Sequence, residues 1–79
     1  MNNNKQFGER LRIARLRKNM TQVEVAVALE EFDISLSQTA VGKIERGERN
    51  LYVHQLIALA NILDVSTQWI LEGGDLSIS

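Results

Sequence analysis

The chain has 79 residues with no cysteine and no proline, one small domain close to the lower limit for a self-sufficient hydrophobic core. Disulfides and thiolate metal sites are excluded, the polar start Met-Asn-Asn-Asn-Lys-Gln lacks the apolar stretch of a secretory signal, and no apolar run approaches a membrane span, so a cytoplasmic protein without a membrane partner is the default. The net charge of −1 hides a gradient: residues 1–18 carry Lys5, Arg10, Arg12, Arg15, Arg17 and Lys18 against Glu9, whereas residues 51–79 have acids and no Lys or Arg. A basic near end and an acidic far end suit a protein that shows one face to phosphate; ordinary solvated surface charge is the plainer alternative.

Apolar residues recur at helical spacing, with no strand-like alternation and no Asn-Gly hairpin signal, so the fold class is all-α. The first helix runs from about Asn4 to Lys18 with Phe7, Leu11 and Ala14 as its inner stripe, and Asn19 suits a left-handed C-terminal residue. Thr21 opens the second helix as N-cap, and Glu24 three residues later completes a capping box. That helix continues through Val25, Ala26 and Leu29 to about Glu31 or Phe32. Ser37 caps the third, which extends to Arg46; Gly47 ends it, and Glu48 to Leu51 form a turn. The fourth covers about Val53 to Leu63 with Leu56, Leu59, Ala60 and Leu63 inward. Ser66 caps a short fifth helix carrying Trp69 and Ile70, which Gly73-Gly74 stops. The core of the domain is thus about residues 5–73, and Asp75 to Ser79 form a frayed tail.

The third helix carries the chemistry. At about 100° per residue, Val41 and Ile44 share one side with Ala40 at its margin, while Gln38, Thr39, Gly42, Lys43 and Arg46 cover the other. Gln and Thr side chains can read base edges, and Lys and Arg can reach guanines or phosphates, so the segment resembles a helix that enters the DNA major groove. No competing chemistry is present. There is no phosphate-binding glycine loop and no nucleophile paired with a base, and Glu24, Glu30 and Glu31 read as surface acids, which disfavours an enzyme. His54 stands without a second His, a Cys or a carboxylate cluster at ligand spacing, so neither a metal nor a cofactor is implied.

Three linked stretches carry a family resemblance. They are Thr21-Gln22-x-Glu24-x-Ala26-x-x-Leu29, the run Leu36 to Arg49 (Leu-Ser-Gln-Thr-Ala-Val-Gly-Lys-Ile-Glu-Arg-Gly-Glu-Arg) and the run Leu56 to Trp69. In this order they resemble the phage repressor and Cro type of helix-turn-helix, the xenobiotic-response-element (Xre) family, over about residues 6–73. The resemblance implies a compact five-helix bundle whose second and third helices bind double-stranded DNA, the third in the major groove and the second across the backbone. Carried over by position, Gln38 and Thr39 lead the base readers, with Lys43 one turn on. Gln22 matches a phosphate-contacting glutamine that also braces the first base reader. Ser37, Arg46, Arg49 and Asn50, with Arg10 from the first helix, would contact the backbone. Arg15 matches an arginine that pairs, partly buried, with the glutamate here at Glu45, a structural ion pair between the first and third helices. The fourth and fifth helices of relatives supply a dimer contact, which here would involve Asp64 to Leu71, including Val65, Trp69 and Ile70. The function implied is a sequence-specific regulator, a repressor acting as a homodimer on a two-fold-related operator. A protein-interaction module such as an antitoxin is the alternative.

The chain departs from the family at three places. Glu30 to Ser35 lengthen the connection between the second and third helices, which predicts up to one added turn, with Phe32 and Ile34 packed back on the core and the acids away from phosphate. Gly42 on the DNA face either lets the helix approach bases closely or marks a position without a base contact. Ile13, Leu16, Val23 and Val27 lie opposite the core stripes of their helices. They form either a protein-partner patch or a surface partly covered by Phe32 and Ile34.

Overall fold

In the computed structural model, which describes residues 3–74, the chain folds as α1 (Asn3–Arg17), α2 (Gln22–Leu29), a 3₁₀ turn over Glu30–Phe32, α3 (Gln38–Glu45), α4 (Val53–Leu63) and α5 (Thr67–Glu72). The tail assigned to Asp75–Ser79 lies outside the described residues. Short polar side chains set three of the helix starts. Thr21 Oγ1 accepts from the Glu24 N–H at 3.1 Å while the Glu24 carboxylate accepts from the Thr21 N–H at 2.8 Å, a complete capping box. Ser37 and Ser66 accept from Ala40 and Trp69 in the same way. Each such cap contributes about 1 kcal/mol. The start of α4 uses a signal the sequence reading missed: Gln55 Oε1 reaches back to accept from the Tyr52 N–H at 3.1 Å. Asn19, Asp33 and Asp64 adopt left-handed conformations at the exits of α1, the 3₁₀ turn and α4; Asn and Asp tolerate this better than bulkier residues because their short side chains bond locally.

The lengthened connection folds differently from the expectation. As an α-helix α2 stops at Leu29, and the next three residues tighten into the 3₁₀ turn, with the Asp33 N–H bonded to Glu30 O and the Ile34 N–H to Leu29 O. The left-handed Asp33 then redirects the chain so that Ile34 enters the core, leaving Phe32 on the outside of the turn at 43% exposure. One of the two residues expected to fold back does so.

The core gathers Leu11 and Ala14 of α1, Val25 and Leu29 of α2, Val41 and Ile44 of α3, Leu56, Leu59 and Leu63 of α4, and Trp69 and Ile70 of α5. Trp69 and Ile70 are therefore interior residues rather than a dimer face. Ile70 is fully enclosed, and the Trp69 indole N–H is satisfied by the Gly74 carbonyl at 3.2 Å. A short α5 can be held in place only by burying its largest side chains, which removes them from the surface. α1 crosses the end of α3 at Gly8, where an added Cβ would fall against the carbonyl oxygen of Ile44 and 2.6 Å from that of Glu45.

Candidate nucleic-acid interface

α3 is fixed from behind by one carboxylate. Glu45 accepts from Arg15 Nε at 2.6 Å, from Arg15 Nη2 at 3.1 Å and from Gln22 Nε2 at 3.0 Å, while Arg15 Nη1 donates to the Met20 carbonyl at 2.8 Å. Arg15 and Glu45 are buried, and among the described residues no buried side-chain polar atom lacks a partner. This set joins α1, the turn that follows it, α2 and α3. Val41, Ile44 and also Ala40, expected at the margin, fill the space beneath.

The opposite side of α3 is open. Ser37, Gln38, Thr39, Lys43 and Arg46 are all exposed, as are Arg49 and Asn50 in the exit turn. Arg46 Nε stands 3.3 Å from Glu48, and Asn50 Oδ1 accepts from Asn4 at 3.0 Å, which ties the exit turn to the start of α1. Gly42 does not share this openness. It is buried, with the side chains of Gln22 and Arg46 lying over it, so it gives the helix no bare approach to bases. Arg10 is likewise placed otherwise than expected. Its Nη1 donates to the Ile70 carbonyl at 2.9 Å and its guanidinium packs on Gly73, so it caps the C-terminal end of α5, where exposed carbonyls attract a cation. With Arg10 and Arg15 tied inside the fold and Arg12 facing Glu9 at 3.8 Å, the basic surface of α1 is smaller than the sequence count.

A pair of helices linked through the 3₁₀ turn and a loop, the second of them backed by the core and bare in front, is a helix-turn-helix arrangement. The helix-turn-helix family profile matches residues 11–70. The chain belongs to the phage repressor and Cro (Xre) helix-turn-helix family. Two solved structures are similar to it, each covering 86% of this chain and 96% of its own with a TM-score of 0.74. One is the restriction-modification controller protein C.AhdI from Aeromonas hydrophila, 31% identical; the other is the P22 c2 repressor in complex with a synthetic operator, 26% identical. None of the curated proteins compared with the chain matches it. As a member of this family the chain is a DNA-binding transcription regulator.

Within this helix-turn-helix unit the acids Glu30, Glu31 and Asp33 are exposed on the connection. Ile13, Leu16, Val23 and Val27 are 39–58% exposed, and neither the buried Ile34 nor the outward Phe32 removes them from solvent. Leu16 and Val23 line a hollow with Asn19, Gln22 and Gln38, whereas Ile13 belongs to a groove between α1 and α3 with Lys5, Arg12 and Arg46. His54 is exposed and stacks on Tyr52 with ring centroids 6.4 Å apart. Among the described residues no group of three or more His, Cys, Asp or Glu could hold a metal, and no helix is long and apolar enough to cross a membrane. Gly8 is invisible to apolar spacing; its one sequence signal is that a glycine stands inside an amphipathic helix, which suits a close helix crossing.

Proposed function

We propose that the chain is a sequence-specific repressor acting in the cytoplasm, which places α3 in the major groove of double-stranded DNA and binds a two-fold-related operator as a homodimer. One observation carries this reading: Gln38, Thr39 and Lys43 project from the open side of a helix whose other side is locked by Arg15, Glu45 and Gln22. Base readout needs side chains held in a fixed register, and that lock supplies it. Gln22, Ser37, Arg46, Arg49 and Asn50 surround this face and serve as backbone contacts. The operator in the P22 c2 complex supports the choice of duplex DNA. For self-association the surface beside the α4–α5 turn remains, with Ile57 and Leu71 exposed at 49% and 44% and a half-buried Val65 in the same hollow as Ile57 and Thr67. A dimer of this kind reads half-sites about one helical turn apart.

The test is selection from a random duplex library at near-physiological salt. An enriched inverted repeat establishes specific readout by a symmetric dimer, and a single short element points to a monomer. Without enrichment the reading passes to an interaction module such as an antitoxin, with the exposed Ile13, Leu16, Val23 and Val27 as its surface. Individual residues divide into two kinds. Gln38→Ala and Thr39→Ala each cost about 1–3 kcal/mol at the selected site and relax the preferred sequence. Arg49→Ala weakens binding to all duplexes alike and flattens the dependence on salt. An unchanged sequence preference in Gln38→Ala would show that α3 is not the reading helix.

A further inference from the structure

Gly42 sits inside α3, where glycine is the poorest helix former after proline, and yet it is buried. A Cβ at this position would meet Arg46 Nη1 at 3.1 Å and the Gln22 amide nitrogen and oxygen at 3.4 and 3.5 Å. The two covering side chains differ in freedom. Gln22 is braced by its bond to Glu45, itself held by Arg15. Arg46 is exposed, one turn further along the same face, and its Nε lies 3.3 Å from Glu48. Its guanidinium can lie back along the helix beside Gln22 because position 42 has no side chain in the way.

We propose that Gly42 is a positioning residue for phosphate binding. The notch it leaves seats the Arg46 guanidinium next to the Gln22 amide, so that Nη1 of Arg46 and the second N–H of Gln22 converge on one phosphodiester of duplex DNA. This rests on the reading that α3 faces DNA. A phosphate suits the notch chemically: the guanidinium supplies charge and a fixed fork of donors, and the braced amide supplies a second donor whose direction is already set. A larger residue at position 42 fills the notch, sends Arg46 outward and separates the two donors.

The experiment compares wild type, Gly42→Ala, Gly42→Gln, Arg46→Ala and the double variant Gly42→Gln/Arg46→Ala. Each is titrated with a mixed-sequence duplex over a range of KCl concentrations, and its melting temperature is recorded. Both Gly42 variants are expected to melt higher, by about 4–8 °C where the full helix-propensity gain is realised. Gly42→Gln is nevertheless expected to bind duplex several-fold more weakly, with a salt slope reduced by about one, and Gly42→Ala to change in the same direction by less. In the double variant the Gly42 substitution adds nothing to the loss from Arg46→Ala. Unchanged affinity and slope in Gly42→Gln, or losses that multiply in the double variant, would overturn the positioning role while leaving DNA binding intact. A wild-type protein with no salt-dependent affinity for the duplex would overturn both.

Discussion

Glu45→Ala is expected to destabilise the fold by about 3–5 kcal/mol, the range for removing one partner of a buried ion pair. The cost arises because Arg15 remains buried with its charge uncompensated, and Gln22 loses its acceptor at the same time. A domain of this size has a total stability of roughly 4–12 kcal/mol, so the variant is left marginal at 25 °C. Urea unfolding followed by circular dichroism measures the loss directly. Arg15→Met combined with Glu45→Leu is expected to recover much of it, since replacing both charges by apolar groups of similar volume removes the buried charge as well as the attraction. The recovered protein should still bind DNA poorly, because nothing then braces Gln22. A loss below about 1 kcal/mol in Glu45→Ala would place the pair among ordinary surface ion pairs and remove the argument that it locks α3.

Gly8→Ala is expected to have the second largest effect, opposite in sign to what helix propensity alone gives. Alanine in the middle of a helix is worth about 1 kcal/mol more than glycine. At Gly8, however, the new methyl group would collide with the carbonyl oxygens of Ile44 and Glu45. These are backbone atoms at the end of α3 and cannot rotate aside. α1 and α3 must move apart, at an overpacking cost of about 1–3 kcal/mol or more, which also strains the neighbouring Arg15–Glu45 contact. The melting temperature should therefore fall, whereas Gly42→Ala, which meets only side-chain ends, should raise it. A higher melting temperature for Gly8→Ala would show that α1 and α3 are not so closely apposed.

These two glycines mark where sequence legibility ends. The helices, their inward stripes and the caps at Thr21, Ser37 and Ser66 were readable because each depends on residues within one or two turns: Thr21 with Glu24, Ser37 with Ala40, Leu56 with Leu59 and Leu63. Arg15 with Glu45 was readable only through the family resemblance, since the residues are far apart in the chain. The departures at Arg10, Trp69 and Ile70 share one physical cause: spacing along a helix shows which residues share a face, but not what stands opposite. A cation at Arg10 looks the same from its neighbours whether it meets a phosphate or the Ile70 carbonyl. Trp69 and Ile70 read equally well as core or as a dimer face, and only the closure of α5 onto α1 and α4 decides between them. For Phe32 the deciding factor was local, the left-handed Asp33, yet its effect depends on where the core lies.

Through Gly8 and Arg15, α1 grips the helix proposed to enter the groove, and through Arg10 it grips the C-terminal end of α5, the helix that borders the surface proposed for a second copy. One unbroken helix, Asn3–Arg17, thus links α3 to α5. In the proposed dimer, such a link would set the distance between the two copies of α3, like a caliper of fixed gauge. The duplex would then have to twist or bend to meet it, with an ease that depends on the base steps lying between the half-sites. Base pairs that no side chain touches would thereby acquire a voice in which operators are bound.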